Sequence, residues 1–395
     1  MPREACGGKG KRTLVREWGR IALEVKKPKE IIDLFSGVGG LSLGAARAGF
    51  QIRAAVELDV QASSTHAVNF PTAAHVQEDV SKLAGDRLIE TSGVNPKLYA
   101  GLIGGPPCQG FSNMGLRTAK DPRNQLLCDF FRLVAETSPA FFLAENVPGV
   151  LDERNARVLE AAQARIPKKY VVLDPFTVKA SDYGAPTIRT RVFFYGYDPN
   201  RVDALTIEDF LPGTVGDVRV RDALAQLPKV RPTWQTEKQS WRSVGELDDS
   251  EFANRLTDCV PAGVGNEEAL QRFRSKRQVS GFLGTLHEAG TIKRFDLLGP
   301  GESDSISKCT RLDAKGYCPT LRAGTGPERG SYQAIRPVHP TSPRVITPRE
   351  GARLQGFPDW FQFHATKWHS FRQIGNSVSP IVAESLLLKI YKAMS

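Results

Sequence analysis

A single cysteine in this chain has the surroundings of a positioned nucleophile. Cys108 follows an apolar run at residues 98–103 and lies within Gly-Gly-Pro-Pro-Cys-Gln-Gly at residues 104–110. Glycines let a backbone approach a ligand closely, and prolines stiffen a turn. We therefore predict that a buried strand ends before Cys108 and presents its thiol for covalent catalysis. The alternative, a small buried hydrophobic residue, is the usual role of a single cysteine, but that role does not require flanking glycines and prolines.

A strand, a glycine-rich loop and a helix precede this cysteine. Residues 30–35 predict the strand, residues 36–40 the loop, and residues 41–48 a helix closed by Gly49. This order is typical of the entry to a nucleotide-type cofactor site, where backbone N–H groups at a helix N-terminus face the ligand. The loop by itself also fits a plain turn or an ordinary nicotinamide dehydrogenase.

Two acidic residues strengthen the prediction of a cofactor site. A second predicted strand delivers Glu57, twenty positions after Gly37, where a carboxylate can bind ribose hydroxyls. Asp79 follows a third short apolar segment and is predicted at the adenine end of the same site. The glycine-rich loop, Glu57 and Asp79, occurring in this order, are more specific evidence for a cofactor site than the glycine-rich loop alone.

A carboxylate and two arginines are candidates for the reacting end of the site. Residues 141–149 predict another buried strand that brings Glu145 to the crevice where parallel strand ends converge. The alternative is a helix-capping carboxylate. Arg189 and Arg191 alternate in sequence, which predicts that both side chains lie on one face of one strand.

With these segments assembled, the chain resembles the DNA cytosine-5 methyltransferases of bacterial restriction-modification systems. The matching motifs occur in the family's order from about residue 30 to the C-terminus, at residues 33–40, 104–112, 145–147, 189–191, 346–358 and 373–378. One position departs from the family pattern, because Thr187 stands where the Gln-x-Arg-x-Arg motif usually has glutamine.

The resemblance implies an α/β fold, with a Rossmann-like sheet of the S-adenosylmethionine-dependent methyltransferase type and a second, smaller, loop-rich target-recognition domain. It implies that S-adenosylmethionine is held by Phe35, Ser36, Gly37, Gly39, Gly40, Leu41, Glu57, Leu58, Asp79, Val80, Pro107, Asn376, Ser377 and Val378. It implies that catalysis falls to Cys108, Glu145, Arg189 and Arg191, and DNA contact to Ser112, Arg123, Thr320, Leu321, Arg322 and Arg329.

The chemistry explains why a cysteine is needed. Cytosine C5 is too weak a nucleophile to take a methyl group from a sulfonium, whereas addition of a thiolate at C6 makes C5 enamine-like. A carboxyl such as Glu145 can offset the charge that develops on the ring. The target atoms lie inside a duplex, so the base must be extruded. The polar, basic segment 113–123 is predicted to close over it as a lid, with a solvated loop as the alternative.

Charge and composition favour a nucleic-acid partner. Of the formal net charge of +10, residues 1–29 contribute nine Lys/Arg against three Glu, and residues 219–353 contribute 22 against 16. Positive charge in these two regions suits phosphates. No apolar run approaches the length of a membrane span. The six cysteines lack paired Cys-x-x-Cys spacing, so a zinc site is unsupported and reduced thiols in a cytoplasm are expected.

Three segments are predicted. Residues 1–29 form a basic arm, residues 30–197 plus 372–395 form the cofactor-binding catalytic domain, and residues 198–371 form the recognition domain, with no sustained helical period before residue 382. We expect a monomer acting on double-stranded DNA, with a cognate restriction endonuclease as functional partner. Methylation of tRNA by the same chemistry and a catalytically decayed DNA-binding module are the alternatives.

Overall fold

A computed structural model describes residues 29–107, 125–230, 240–257, 260–323 and 336–394. The first half alternates strands and helices. Its strands are β1 Glu30–Leu34, β2 Gln51–Val56, β3 Ala74–Val76, β4 Tyr99–Gly104, β5 Phe141–Asn146, β6 Val171–Val172, β7 Phe176–Lys179 and β8 Thr190–Tyr197. Its helices are α1 Gly40–Ala48, α2 Val60–Asn69, α3 Gly85–Ser92, α4 Leu126–Thr137 and α5 Ala156–Gln163.

These strands form one sheet in the order β3-β2-β1-β4-β5-β8-β6, with β7 also paired to β8. The first five strands run parallel, while β6, β7 and β8 form antiparallel pairs. The strand order reverses between β1 and β4, and ligands of such sheets bind at the carboxyl ends of the strands on either side of that point. The predicted α/β class is confirmed.

Both faces of the sheet are covered. Neighbouring residues along a strand enter different apolar clusters: Ile31 and Phe141 pack on one face, and Ile32 and Phe142 on the other. This alternation follows from the two-residue period of a strand. It explains why the central strands read as nearly continuous apolar runs, since a parallel sheet with helices on both sides has no solvated face.

The last helix of the chain, α12 Pro380–Ala393, packs lengthwise on α1. The contact is close enough that a β-carbon at Gly44 would lie 2.3 Å from the β-carbon of Ala383. Lys29 donates from Nζ to the backbone carbonyl of Met394 at 2.5 Å. The first and last described segments therefore lie together on one side of the sheet.

The region after β8 contains more helix than the sequence predicts. It includes α6 Val220–Ala223, α7 Glu251–Thr257, α8 Glu267–Lys276, α9 Ala289–Leu297, α10 Pro348–Gln355 and α11 Lys367–Asn376, together with the antiparallel pair β9 Arg242–Ser243 and β10 Gln278–Val279. The expectation of no sustained helix before residue 382 is wrong. These helices are too short to produce a long apolar repeat, and local capping defines them instead, as in the reciprocal capping box of Thr347 and Glu350.

Several arginines of residues 219–353 are part of the interior. Arg353 is fully buried and paired with the equally buried Asp359 at 2.6 Å, and it also donates to the carbonyls of Ala223 and Ala225. Arg344 pairs with Glu350 at 2.7 Å. Arg311 and Arg349 are likewise buried, and both donate to backbone carbonyls. The prediction that the charge of this region serves DNA phosphates is therefore wrong for these four side chains.

One apolar cluster continues from the sheet into this second region, joining Phe193 and Phe210 to Phe252, Leu312 and Trp360. The division at residues 197/198 and 371/372 remains a prediction, as does the basic arm, which lies outside the described residues except for Lys29. Within the described ranges, none of the helices has both the length and the apolar character needed to cross a bilayer.

Candidate active site

The loop after β1 forms one wall of the crevice. Phe35 has a φ of 55°, a left-handed conformation that residues other than glycine rarely adopt, so the chain turns sharply as it leaves the strand. Gly37 also has a positive φ, and the space where its side chain would stand is open. The hydroxyl of Ser36 is buried and has no hydrogen-bond partner in the described part of the chain.

Glu57, at the end of β2, fastens this loop. Its Oε2 accepts the N–H of Gly37 at 2.9 Å and its Oε1 accepts the N–H of Asp59 at 2.8 Å. Burial raises the pKa of Glu57, although these two hydrogen bonds oppose the shift. Each carboxylate oxygen keeps a further lone pair, so the side chain can accept hydroxyl hydrogen bonds from a ligand while it holds the loop.

The neighbouring residues complete the predicted cofactor set. Leu58 is 61% exposed beside Glu57, and such an exposed apolar side chain suits the flat face of a ring. Asp79 accepts hydrogen bonds from the backbone and hydroxyl of Ser81, and the side-chain bond lowers the pKa of Asp79. Leu41 and Val80 are buried in the two apolar clusters, and the carbonyl of Val80 accepts a hydrogen bond from Arg132 at 2.9 Å.

Residues 376–378, at the end of α11 and in the connection to α12, lie against the other side of the loop. The carbonyl oxygen of Val378 would be 2.3 Å from a β-carbon at Gly40, one residue after the N-cap Gly39. Asn376 is exposed, whereas Ser377 is buried and its hydroxyl donates to the carbonyl of Gln373 at 2.8 Å. The structure thus brings residues from both ends of the chain to one loop.

A buried polar chain behind the loop was not predicted. Ser42 donates from its hydroxyl to Asp33 at 2.6 Å and lies 3.0 Å from Nε2 of His66, whose Nδ1 is 2.9 Å from His75. Burial raises the pKa of Asp33 to about 7. It lowers the pKa of His66 well below its usual value, so that histidine stays neutral. The signal in the sequence was a carboxylate and a hydroxyl that each lie between apolar residues, in β1 and α1.

Glu145 and Arg191 form the polar centre of the crevice at the other wall. Glu145 lies in β5 and Arg191 in β8, and Nε of Arg191 is 2.6 Å from Oε1 of Glu145. The angle at this ion pair is not that of a hydrogen bond, so Oε1 has no aligned donor among the described residues. A β-carbon at Gly105 would lie 3.1 Å from Oε2 of Glu145. The chain that leads from β4 to Cys108 therefore passes directly beside this carboxylate.

Arg189 lies immediately before β8 and is only 3% exposed. That its side chain shares a strand face with Arg191 stays a prediction. Arg189 donates from Nη1 to the backbone carbonyl of Leu321 at 3.2 Å, while its Nε has no partner in the described chain. Burial, with the nearby charge of Arg191, lowers the pKa of Arg189, and the Glu145 carboxylate opposes that shift. All three charged groups thus act on one another.

The segment of Thr187 pairs with residues 318–323. Thr187 is fully buried and donates from its hydroxyl to the carbonyl of Cys318 at 3.0 Å, and the N–H of Ile188 reaches the same carbonyl at 3.0 Å. Of the predicted DNA contacts here, Thr320 is half-buried and Arg322 is exposed. The side chain of Leu321 is buried in the core, so only its backbone is available to a ligand.

Four predicted site residues, Cys108, Ser112, Arg123 and Arg329, and the proposed lid at residues 113–123, lie outside the described residues. Pro107, the last described residue before Cys108, is exposed. In the described ranges, no three His, Cys, Asp or Glu side chains are arranged to hold a metal ion. The crevice thus has the loop held by Glu57, with room beside Gly37, on one wall, and the close pair of Glu145 and Arg191 on the other.

Comparison with known proteins agrees with this geometry. The family model for C-5 cytosine-specific DNA methylase matches residues 29–392. The type II methyltransferase M.XorII of Xanthomonas oryzae pv. oryzae is 38% identical over 370 residues, covering 92% of this chain and 84% of the relative. M.DdeI of Desulfomicrobium norvegicum is 32% identical over 392 residues, covering 91% and 88%.

A solved structure is also similar. The crystal structure of an E. coli protein assigned as a DNA modification methyltransferase encoded within a prophage superposes with a TM-score of 0.83 at 49% sequence identity. The match covers 92% of this chain and 99% of that one. The similarity therefore extends over the sheet and the region after it.

Proposed function

The chain belongs to the family of C-5 cytosine-specific DNA methylases and is a DNA cytosine-5 methyltransferase of the type II restriction-modification kind, and on this premise we propose how its residues perform the reaction. The substrate is a cytosine extruded from a specific duplex sequence. The methyl donor is S-adenosylmethionine, and the covalent intermediate is an adduct between Cys108 and C6 of the base. The observation that carries the proposal is the Glu145–Arg191 pair beside Gly105, at the start of the loop that leads to Cys108.

The residues of the first wall fit S-adenosylmethionine. The open space at Gly37 and the unpartnered hydroxyl of Ser36 provide room and a polar contact, and Glu57 has free lone pairs for ribose hydroxyls. Leu58 offers an apolar surface for the purine, and Asp79 an acceptor for its amino group. When bound, this cofactor supplies a methyl group on a positively charged sulfur, which the activated C5 of cytosine accepts.

Cys108 and Glu145 act on the base. The thiolate of Cys108 forms a bond to C6, and the electron density displaced from the C5–C6 double bond makes C5 nucleophilic. Glu145 shares a proton with N3 of the ring and offsets the negative charge that builds as sulfur adds. After methylation, loss of the C5 proton to a base and cleavage of the C6–S bond restore the ring and the thiolate.

Arg191 contacts the substrate, whereas Arg189 acts indirectly, by supporting the Glu145–Arg191 pair. Arg191 is partly exposed in the crevice and pairs with Glu145, so its guanidinium can bind the base oxygen while it orients the carboxylate. Arg189 is buried behind the pair, and we assign it to holding that pair in place. This differs from a direct catalytic role for both arginines.

Double-stranded DNA, a single copy of the chain and a cognate restriction endonuclease complete the proposal. Arg322 is the exposed described cation next to the segment that holds Arg189, and it is our candidate for a base or phosphate contact. Because the substrate is cellular duplex DNA, the proposed place of action is the nucleoid.

The decisive experiment is expression in a host free of DNA methylation, followed by mapping of 5-methylcytosine across its genome. We expect methylation at one short motif. Purified protein is tested in parallel on duplex DNA and on tRNA. Methylation of tRNA alone would contradict the proposed substrate, and binding to DNA without any methyl transfer would indicate a decayed module.

A further inference from the structure

Gly375 touches the chain segment that holds Arg189. This glycine lies near the end of α11, and a β-carbon there would be 2.5 Å from the backbone N of Ala323 and 2.6 Å from the carbonyl carbon of Arg322. One residue earlier, the carbonyl of Leu321 accepts the hydrogen bond of Arg189. We infer that Gly375 is a positioning residue: its missing side chain lets the Leu321–Ala323 backbone lie where the Leu321 carbonyl can hold Arg189 behind the Glu145–Arg191 pair.

Helix propensity gives no reason for this glycine. Alanine is favoured over glycine in a helix interior by about 0.5–1 kcal/mol. The close approach of the Arg322–Ala323 backbone does explain why position 375 is glycine, because real β-carbons essentially never lie within 3.0 Å of such atoms. The obstructing atoms belong to the main chain, so they cannot rotate away as a side chain would. Any residue larger than glycine at position 375 must displace either α11 or the Leu321–Ala323 backbone.

The position of the Leu321 carbonyl matters because Arg189 depends on it. Among the described residues, this carbonyl is the one acceptor that hydrogen-bonds to the buried guanidinium, and Nε has none. A buried cation with few partners is sensitive to the loss of any one of them. If the carbonyl moves, the guanidinium must reorient beside Arg191, a like charge, and beside Glu145, the group proposed to protonate the base. The geometry of the reacting pair then changes without any direct substitution in it.

The segment around Gly375 contacts both the proposed cofactor site and the proposed DNA-contacting segment. Residues 376–378 follow Gly375 immediately and contact the loop proposed to hold the methyl donor, through Val378 and Gly40. The Leu321–Ala323 segment contains Arg322, the candidate DNA contact. Gly375 therefore lies where target recognition, base chemistry and cofactor binding share backbone contacts.

The inference rests on the proposed function and is tested with Gly375→Ala in the full chain. We expect the single-turnover rate of methyl transfer to fall at least tenfold, with the melting temperature within a few degrees of wild type and the affinity for S-adenosylmethionine changed less than threefold. The matched control is Gly351→Ala in α10, whose β-carbon would meet only side chains, at 3.2 Å from Phe371 and 3.6 Å from Leu321. We expect that variant to keep wild-type activity.

A double-mutant cycle with Arg189→Lys separates positioning from general damage. If Gly375 acts through Arg189, Gly375→Ala lowers the rate less than twofold further in the Arg189→Lys background. If the two losses multiply, the inference is wrong, and a Gly375→Ala rate within twofold of wild type also overturns it. Should Gly375→Ala fail to fold, Ala323→Pro presses on the same contact from the loop side, and the same cycle applies. Absence of methylation by the wild type would instead contradict the proposed function itself.

Discussion

Arg191 and Glu145 stand on the antiparallel neighbours β8 and β5, and Nε of Arg191 lies 2.6 Å from Oε1 of Glu145 without a hydrogen-bond angle. The pair is held close by charge but leaves this carboxylate oxygen without an aligned donor among the described residues. The N3–H formed when Glu145 shares its proton with the ring would provide that donor. The relationship explains how Glu145 can be both fixed in place and available to a base.

Glu145→Gln is expected to impair chemistry far more than cofactor binding. Glutamine keeps the shape but cannot exchange a proton, and loss of general acid assistance commonly costs about 10²-fold or more. The single-turnover rate on duplex DNA measures the first effect, and titration with S-adenosylmethionine the second. Glu57→Gln is the matched control, because it should weaken the cofactor instead. Near-normal turnover in the Glu145 variant would show that this carboxylate is structural.

Cys108→Ser is expected to abolish methyl transfer while leaving duplex binding intact, because a hydroxyl is a far poorer nucleophile than a thiolate at neutral pH. DNA with 5-fluorocytosine at the target gives a sharper measurement. Wild type should form an adduct that survives denaturation, since fluorine at C5 cannot leave as a proton does. Equal trapping by the serine variant would refute the assignment of the nucleophile.

Thr187→Gln is expected to destabilise the protein by about 1–3 kcal/mol, because a longer side chain must enter a fully packed site. Because glutamine is usual at this position in the family, the motif alone predicts that Thr187→Gln is tolerated. The structure revises that expectation: Thr187 is fully buried and bonded to the Cys318 carbonyl. Urea unfolding of the variant measures the cost, and Thr187→Ser, which keeps the hydroxyl, should cost less. Unchanged stability in the glutamine variant would show that the site can expand.

Asp33 should make stability depend on pH below neutrality. Burial raises its pKa from 3.8 to about 7 in the folded protein, and the groups that face it are Ser42 and Glu57, with His66 beyond Ser42. The folded state therefore binds the proton more tightly. The stabilisation that comes from this tighter proton binding is complete below about pH 4 and is lost as the pH rises to about 7. Above about pH 7 stability no longer changes because of Asp33.

The measurement is the difference in unfolding free energy between wild type and Asp33→Asn, taken in urea at several pH values. Asparagine has nearly the same shape and does not titrate. The difference should shift in favour of the variant by at most about 4 kcal/mol between pH 4 and pH 7. A difference independent of pH would mean that the pKa of Asp33 is the same in the folded and the unfolded protein, as for an ordinary surface carboxylate.

Substitution of Arg322 is expected to change DNA binding or recognition, whereas substitution of Arg353 is expected to lower stability. Arg322→Ala removes an exposed cation, so it should relax the methylated motif at one position by roughly 1–3 kcal/mol of discrimination if the residue reads a base. If it binds a phosphate, affinity for all duplexes falls and the salt slope flattens by about one. Arg353→Ala leaves Asp359 buried and unpaired, which costs about 3–5 kcal/mol of stability. Methylome mapping and thermal unfolding distinguish these outcomes.

The sequence was most informative where local pattern determines structure. Apolar runs and glycine positions predicted β1, α1 and β4 to within about one residue, and the start of β5, because buried strands and helix ends have strong local signals. The end of β5 was predicted three residues too late. Contacts between distant segments carry no such signal. The bond from Arg189 to Leu321 and the approach of Gly375 to Ala323 depend on how the whole chain packs, so neither could be anticipated.

The buried arginines illustrate the same limit. From the sequence alone, an arginine is expected to be a cation at the surface. Whether it is buried instead depends on the acceptors that the fold places around it. Arg349 donates to the carbonyls of Ser280, Pro358 and Phe361, which meet only in the folded molecule. Net charge therefore overstated the surface available to DNA.

The packing of α12 on α1 sets an order of events during synthesis. The apolar face of α1 leaves the ribosome more than three hundred residues before the helix that covers it. Until α12 emerges, the helix that follows the proposed cofactor loop has no partner on that side and the nascent sheet keeps an uncovered surface. We therefore expect a chain that stops before residue 380 to leave the helix behind the proposed cofactor loop uncovered and to aggregate readily. Support for that loop becomes complete only when residues 380–393 have been made.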